Sequence, residues 1–393
     1  MKNFLCVLLT LLMLPMIWGC NGDDTAKDTL QSDFTDSVES LKDDETDAQT
    51  EADGKEDDEQ VENNFEKNTY TLTSNTKGIK ILGVRHLESD VQLNCDWTGS
   101  GLEMNIVHGG GDIEFFGNTT GSCYFRAYVD GVEKTDAKGN VYHTLDSGNR
   151  KIILKDVEAG EHTIKLIKVT GYTLARAELL SVTFAGTISE QSPADKDMYI
   201  EFVGDSISCG WGTIGSHGGT YTDQDGTLAY PLLVSDALNA DYSVTALSGQ
   251  GLLMGNPGMT EGYLYPSALR SKSNYFNFER KADVVVINIG TNDYNYRVQQ
   301  GITEEYFEIA YRNFLKTVRQ KNGEDCKILC LYNTMNNTWA DALLRAVESF
   351  GGESAGVYVY KTVQTSGGAH PNIAQQKDLA VVITGLINTI IEE

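Results

Sequence analysis

The chain has 393 residues, of which 40% are hydrophobic and 22% charged, and it carries a formal net charge of −25. That length admits two or three domains. So acidic a chain is excluded as an electrostatic partner of nucleic acid or of an anionic membrane surface, and no Cys-X-X-Cys or Cys/His cluster calls for a structural metal.

Residues 1–20 read as an export signal outside the fold. Lys2 precedes an apolar run from Phe4 to Trp18, interrupted only by Thr10 and Pro15. The run is too short to span a bilayer comfortably and fits a signal-peptide core. It ends in Ile17-Trp18-Gly19-Cys20, which resembles the bacterial lipobox; the alternative is an ordinary signal peptide cleaved nearby. The resemblance implies that Cys20 is lipidated and that the mature protein is anchored to a membrane rather than spanning it. Residues 21–66 then hold 18 Asp or Glu against three Lys, a net of −15. With few large apolar side chains this segment is expected to be a disordered, self-repelling tether reaching to about residue 67. Its start, Asn21-Gly22-Asp23-Asp24, resembles the surface-export signals of bacterial lipoproteins, which implies a place in the cell envelope.

From residue 68 to 187 the pattern predicts an all-β, jelly-roll-like sandwich. Short strand candidates include Gly78–Val84, Gly101–Ile106, Cys123–Val129 and Lys151–Leu154, separated by turn signals at Asp130-Gly131, Lys138-Gly139-Asn140 and Ala159-Gly160. Gly109-Gly110-Gly111 lacks the strand–loop–helix setting of a phosphate loop. Trp97 and the Tyr124-Phe125 edge are candidates for glycan contact, with a place in the core as the plainer reading.

After a polar connector, Ile188–Lys196, the rhythm changes. Strands are expected at Tyr199–Val203, Tyr242–Leu247, Asp283–Ile289, Lys327–Tyr332 and Gly356–Val363. Helices are expected at Thr227–Leu238, Glu304–Lys321, Trp339–Phe350 and Asn372–Ile391. The fold class is therefore α/β for residues 198–393, a three-layer domain with a five-stranded parallel sheet whose ligand site lies beyond the carboxyl ends of the strands. Three of those ends carry Gly204-Asp205-Ser206, Ser248-Gly249-Gln250-Gly251 and Gly290-Thr291-Asn292-Asp293. The loop before the last helix carries His370-Pro371.

Each motif alone is weak; the order and the strand-end placement make the set specific. A serine hydroxyl needs a general base, and His370 is the best candidate for Ser206. A tetrahedral intermediate needs donors for its oxyanion, and the backbone N–H groups of Ser206 and Gly249 with the Asn292 amide would supply them. Gly251 could replace Gly249 if the register is off by two. Asp205 and Asp293 are expected to hold loops through backbone hydrogen bonds. His217 could contact substrate, whereas His86, His108, His143 and His162 fall in the sandwich as surface or core residues.

The block order resembles the SGNH (GDSL-type) hydrolase superfamily over Tyr199–Glu393. More closely, Tyr199–Gly212 (YIEFVGDSISCGWG), Ser248–Leu252 (SGQGL), Val285–Tyr294 (VVINIGTNDY) and His370–Asn372 (HPN) look like carbohydrate esterase family two, and Asp96–Gly101 and Glu161–Ile164 extend that resemblance into the sandwich. It implies a serine esterase that removes O-acetyl groups from xylan or related polysaccharides and oligosaccharides, without a cofactor. One departure stands out: the superfamily's Asp three residues before the histidine is Gly367 here. The resemblance allows a Ser–His dyad whose histidine is oriented by a main-chain carbonyl; Asp223 or Asp225 are the alternatives. Rival readings are a non-catalytic glycan-binding lipoprotein and a lipase, thioesterase or O-acyltransferase. Of the five cysteines beyond Cys20, Cys326 and Cys330 sit about 13 Å apart on one strand face, too far for a disulfide. Cys95 with Cys123 is the one pairing worth entertaining.

Overall fold

A computed structural model describes residues 65–83, 93–215, 223–265, 276–336 and 339–392. The export signal with Cys20, nearly all of the tether, His86 and His217 lie outside the described residues.

Alternation of buried and half-exposed side chains organises the first half. Its strands are β1 (Lys67–Thr71), β2 (Ile79–Leu82), β3 (Leu93–Cys95), β4 (Gly101–Thr119), β5 (Cys123–Val129), β6 (Val132–Lys134), β7 (His143–Leu145), β8 (Lys151–Lys168) and β9 (Ala177–Ile188). They pair antiparallel in the order β1-β9-β4-β8-β5-β6, with β2 added to β4, β3 to β9 and β7 to β5. The longer strands β4, β5, β8 and β9 bury one face each, and their buried residues, among them Leu102, Phe115, Phe125, Ile164 and Phe184, meet in one cluster with residues of β2, β3 and β7. A single-faced sheet can do this only by folding over its own core.

Two expectations are corrected here. The strands are not all short: β4 and β8 run 19 and 18 residues. The Gly109–Gly111 run bends β4 instead of ending it, because Gly110 and Gly111 take φ of +95° and +105°, open to glycine without strain. Ala159-Gly160, read as a turn, likewise lies inside β8. The second correction concerns thiols. Cys95 and Cys123 are buried but form no disulfide, and burial pushes the Cys95 thiol up to about 12.

The second half alternates β10 (Tyr199–Gly204), α1 (Tyr230–Ala237), β11 (Asp241–Ala246), α2 (Met259–Gly262), β12 (Val284–Asn288), α3 (Thr291–Asn295), α4 (Arg297–Gln300), α5 (Glu304–Asn322), β13 (Lys327–Tyr332), α6 (Ala340–Phe350), β14 (Val357–Lys361) and α7 (Ile373–Glu392). The sheet is parallel throughout, in the order β11-β10-β12-β13-β14. Its centre, β10 and β12, is buried on both faces, which is why Val284–Ile287 of β12 reads as an unbroken apolar run, while β10 carries the buried Glu201. One face packs on α5 and α6 through Val285, Ile287, Phe314 and Leu343. The other packs on α1 and α7 through Phe202, Val286, Val234 and Ile383. The first helix starts later than expected. Gly226–Leu228 is a 3-10 turn, and α1 begins at Tyr230 because Pro231 suits a first helical turn.

The two sheets share a boundary within one compact unit. Leu82 and Ile167 of the antiparallel sheet join the core under α1, and the Tyr242 hydroxyl donates to Gly99 O at 2.8 Å. Among the described residues no helix is long and apolar enough to cross a membrane.

Candidate active site

Ser206 sits two residues past the end of β10. Gly204 has to be glycine: a Cβ there would stand 2.0 Å from Ser208 Oγ. The turn then closes on itself, with Cys209 N–H donating to Asp205 O at 3.1 Å and Trp211 N–H to Ser206 O at 3.0 Å. Ser206 is 6% exposed, so its hydroxyl is screened but reachable.

His370 arrives from the loop between β14 and α7. That loop is held by Thr365, whose N–H donates to Thr334 O at 2.8 Å and whose hydroxyl donates to Ala369 O at 2.5 Å. Two bonds tie the start of α7 to the serine turn, Ile373 N–H to Thr213 O at 3.0 Å and Gln376 Nε2 to Ile207 O at 3.0 Å, and Tyr230 N–H donating to Gln376 Oε1 at 2.9 Å ties it to α1. Gly212 packs against the histidine, for a Cβ there would lie 3.1 Å from His370 Cβ. The outcome is a His370 Nε2–Ser206 Oγ distance of 2.8 Å, across 164 residues of sequence. That is the range in which a hydroxyl donates to a neutral imidazole.

Asn292 enters from the first turn of α3 and is buried. Its amide donates to Gln250 O at 2.8 Å and lies 3.5 Å from Asp205 Oδ2. Asp293 beside it gathers the loop after β11, accepting from Leu252, Leu253 and Met254 N–H at 2.6, 2.7 and 3.0 Å. Asp205 Oδ1 accepts from Ile207 N–H at 3.0 Å. Both carboxylates therefore hold loops, as expected. Burial, with the Asp293 charge adding to it, pushes the Asp205 carboxyl up to about 7.

The two glycines of the loop differ. Gly249 has φ +78° and open space where a Cβ would stand. Gly251 donates its N–H to Met254 O at 3.0 Å, and a Cβ on it would collide with Asp293 Oδ2 at 2.5 Å. Gly251 is a packing glycine with a committed amide, which removes it as the alternative donor.

Gly367 has φ +64° and is followed by Gly368 at +69°, a left-handed pair that favours glycine over aspartate. Asp225 is not a partner of His370. It is fully buried, and its carboxylate is taken up by Arg126 Nη2 at 2.9 Å, the Tyr142 hydroxyl at 2.8 Å and Thr227 N–H at 2.8 Å. Asp223 lies against Gly215, where a Cβ would stand 2.0 Å from its Oδ1.

Trp97 and Phe125 are both buried, so neither offers a glycan-stacking face. Trp97 packs on Leu247, just before Ser248-Gly249, and on Tyr172. His108, His143 and His162 bond within the antiparallel sheet, to Ala185 O, Lys134 O and Asp130 Oδ2. Sequence reasoning missed Gln376, Gln224, Arg126 and Tyr142, which carry no motif and reach the site only through the fold. Among the described residues no group of three or more His, Cys, Asp or Glu could hold a metal.

Comparison with known proteins bears on this geometry. The GDSL-like Lipase/Acylhydrolase family matches residues 202–376. The cellulase/esterase CelE of Acetivibrio thermocellus is 29% identical over 248 residues, 61% of this chain but 29% of that enzyme, so the chain spans less than a third of that relative. An acetylxylan esterase/glucomannan deacetylase of Cellvibrio japonicus is 25% identical over 282 residues, covering 65% of this chain and 75% of the enzyme. Among solved structures, a family two carbohydrate esterase from Clostridium thermocellum in complex with cellohexaose superposes with a TM-score of 0.68 at 25% identity, covering 79% of this chain and 98% of that one.

Proposed function

We propose, from the match of residues 202–376 to the GDSL-like lipase/acylhydrolase family, that the chain is a serine esterase removing O-acetyl groups from xylan or a related glycan. The observation that carries this reading is the 2.8 Å Ser206–His370 contact beyond the carboxyl ends of the parallel strands. Ser206 Oγ attacks the acetyl carbonyl carbon while its proton passes to His370 Nε2. The oxyanion takes donors from the Ser206 and Gly249 N–H groups and the Asn292 amide. The bond to the sugar oxygen then breaks as His370 returns the proton to it. Water releases acetate from Ser206 by the same steps in reverse order.

Acetyl specificity and a carbohydrate substrate rest on likeness to the named esterases and to the cellohexaose complex. The intact Ser–His pair supports catalysis over a purely glycan-binding role. With glycine at position 367, the reaction is assigned to Ser206 and His370, and a main-chain carbonyl and Asp223 are the alternatives for orienting the imidazole. Cys20 is the lipid attachment point, which places the enzyme on the cell envelope with the acidic tether as spacer; the signal sequence supports this.

The test is hydrolysis of an aryl acetate together with mass spectrometry of acetylated xylan before and after treatment. Wild type releases acetate from both, and Ser206→Ala loses on the order of 10³ or more in kcat. A Ser206→Ala enzyme within about tenfold of wild type would overturn the assignment. Octanoyl esters cleaved faster than acetyl esters would overturn the acyl specificity.

A further inference from the structure

The serine turn and the histidine loop meet on one short segment, residues 209–213. Trp211 bonds back to Ser206 O, Gly212 packs on His370, and Thr213 O receives the first amide of α7. Within its own domain this segment rests on residues 224–226. Gln224 Nε2 donates to Cys209 O at 3.1 Å, and a Cβ on Gly210 would stand 2.5 Å from Asp225 O. Residues 224–226 are in turn fastened to the antiparallel sheet. Gly226 N–H donates to Val169 O at 3.0 Å, Gly171 N–H donates to Gln224 Oε1 at 3.0 Å, and Arg126 and Tyr142 both donate to Asp225 Oδ2. Gly226 fits so closely that a Cβ would lie 1.7 Å from Thr98 Oγ1.

We infer that Arg126 and Tyr142 are positioning residues for the Ser206–His370 pair, acting through Asp225, so that the antiparallel sheet forms part of the catalytic framework. The inference rests on the catalytic reading of Ser206 and His370. The Asp225 carboxylate is fully buried and its guanidinium partner is 15% exposed, so neither can turn to water without the segment moving. The other guanidinium nitrogen, Nη1, is held by Glu133 Oε1 at 3.1 Å, which fixes the fork from behind. A shift of the 224–226 segment would be passed to Cys209 and Gly210 and so to the distance between nucleophile and base. Misplacement by about 1 Å costs on the order of 10² in rate.

The experiment compares Arg126→Met, Tyr142→Phe, Asp225→Asn and the Arg126→Met/Asp225→Asn pair in the full chain, with Ser206→Ala alongside. It reads kcat and KM for an aryl acetate, the rate of Ser206 labelling by a fluorophosphonate, and melting temperature. Expected are a fall in kcat of about tenfold or more with KM within about twofold, slowed labelling in parallel, and a double variant no worse than its worse parent, because the residues act as one unit. Folded variants with wild-type kcat and labelling, a change in KM alone, or additive losses would each overturn the inference. Should Arg126→Met fail to fold, Tyr142→Phe removes a single hydroxyl and carries the same test. An active Ser206→Ala would sink the esterase reading itself; an inactive one beside unimpaired Arg126 and Tyr142 variants would sink the latch alone.

Discussion

The Asn292 amide donates to the Gln250 carbonyl at 2.8 Å, and this bond joins the loop after β11 to the first turn of α3. One amide hydrogen is thereby fixed, and the second is directed by the geometry of the first. Asp205 Oδ2, 3.5 Å away, is too distant to hold that second hydrogen firmly. The amide is thus pre-set, with its second hydrogen only loosely held, which fits the oxyanion role proposed for it.

Asn292→Ala should accordingly lower kcat by about 10²–10³ while KM changes little, since an oxyanion donor acts in the transition state. Steady-state kinetics on an aryl acetate measure both. A rise in KM at unchanged kcat would assign the amide to substrate binding instead.

Asp205 predicts a pH effect. Its carboxyl is raised to about 7 in the fold, so the folded protein binds this proton more tightly than the unfolded chain does. The stability it contributes is full below the unfolded value near pH 4 and is lost as pH rises through about 7. Asp293 faces it, as do Cys209 and Tyr230, whose own proton losses burial drives well above this window. Asp205→Asn keeps the shape without the charge. The melting temperature of the variant minus that of wild type should therefore climb between roughly pH 5 and pH 8. A flat difference would mean that Asp205 is already ionised in the fold.

Gly251→Ala should destabilise the fold by about 1–3 kcal/mol, the usual range for overpacking, because the new methyl meets the Asp293 carboxylate at 2.5 Å. Denaturant titration measures this. If Gly251→Ala kept its midpoint, the Asp293 anchor would have to be more yielding than its three backbone bonds indicate.

Cys20→Ala should move the protein from the membrane fraction to the soluble fraction, since the acidic tether has no attraction for an anionic surface. Retention in the membrane fraction would point to a different anchor.

The sequence by itself determined the parallel sheet and which of its loops carry Ser206, Asn292 and His370. Val284–Ile287 reads as a strand buried on both faces because it is apolar without alternation, Ser206 and Asn292 follow just past strand ends, and His370 stands in the loop before the last helix. Such readings are local: they need only periodicity, a turn glycine and chain order. What lay beyond them was decided by contacts distant in sequence. A left-handed glycine bends a strand at Gly110 and fits a loop at Gly367, and the local sequence is equally permissive of both. Gly249 and Gly251 differ in the space beside them because Asp293, some forty residues on, fills it at one of them. Asp225 lies near the nucleophile in the chain, yet its carboxylate belongs to Arg126, 99 residues earlier on another sheet. A buried charge takes whichever partner the packed structure brings within reach, and that pairing has no periodicity to reveal it.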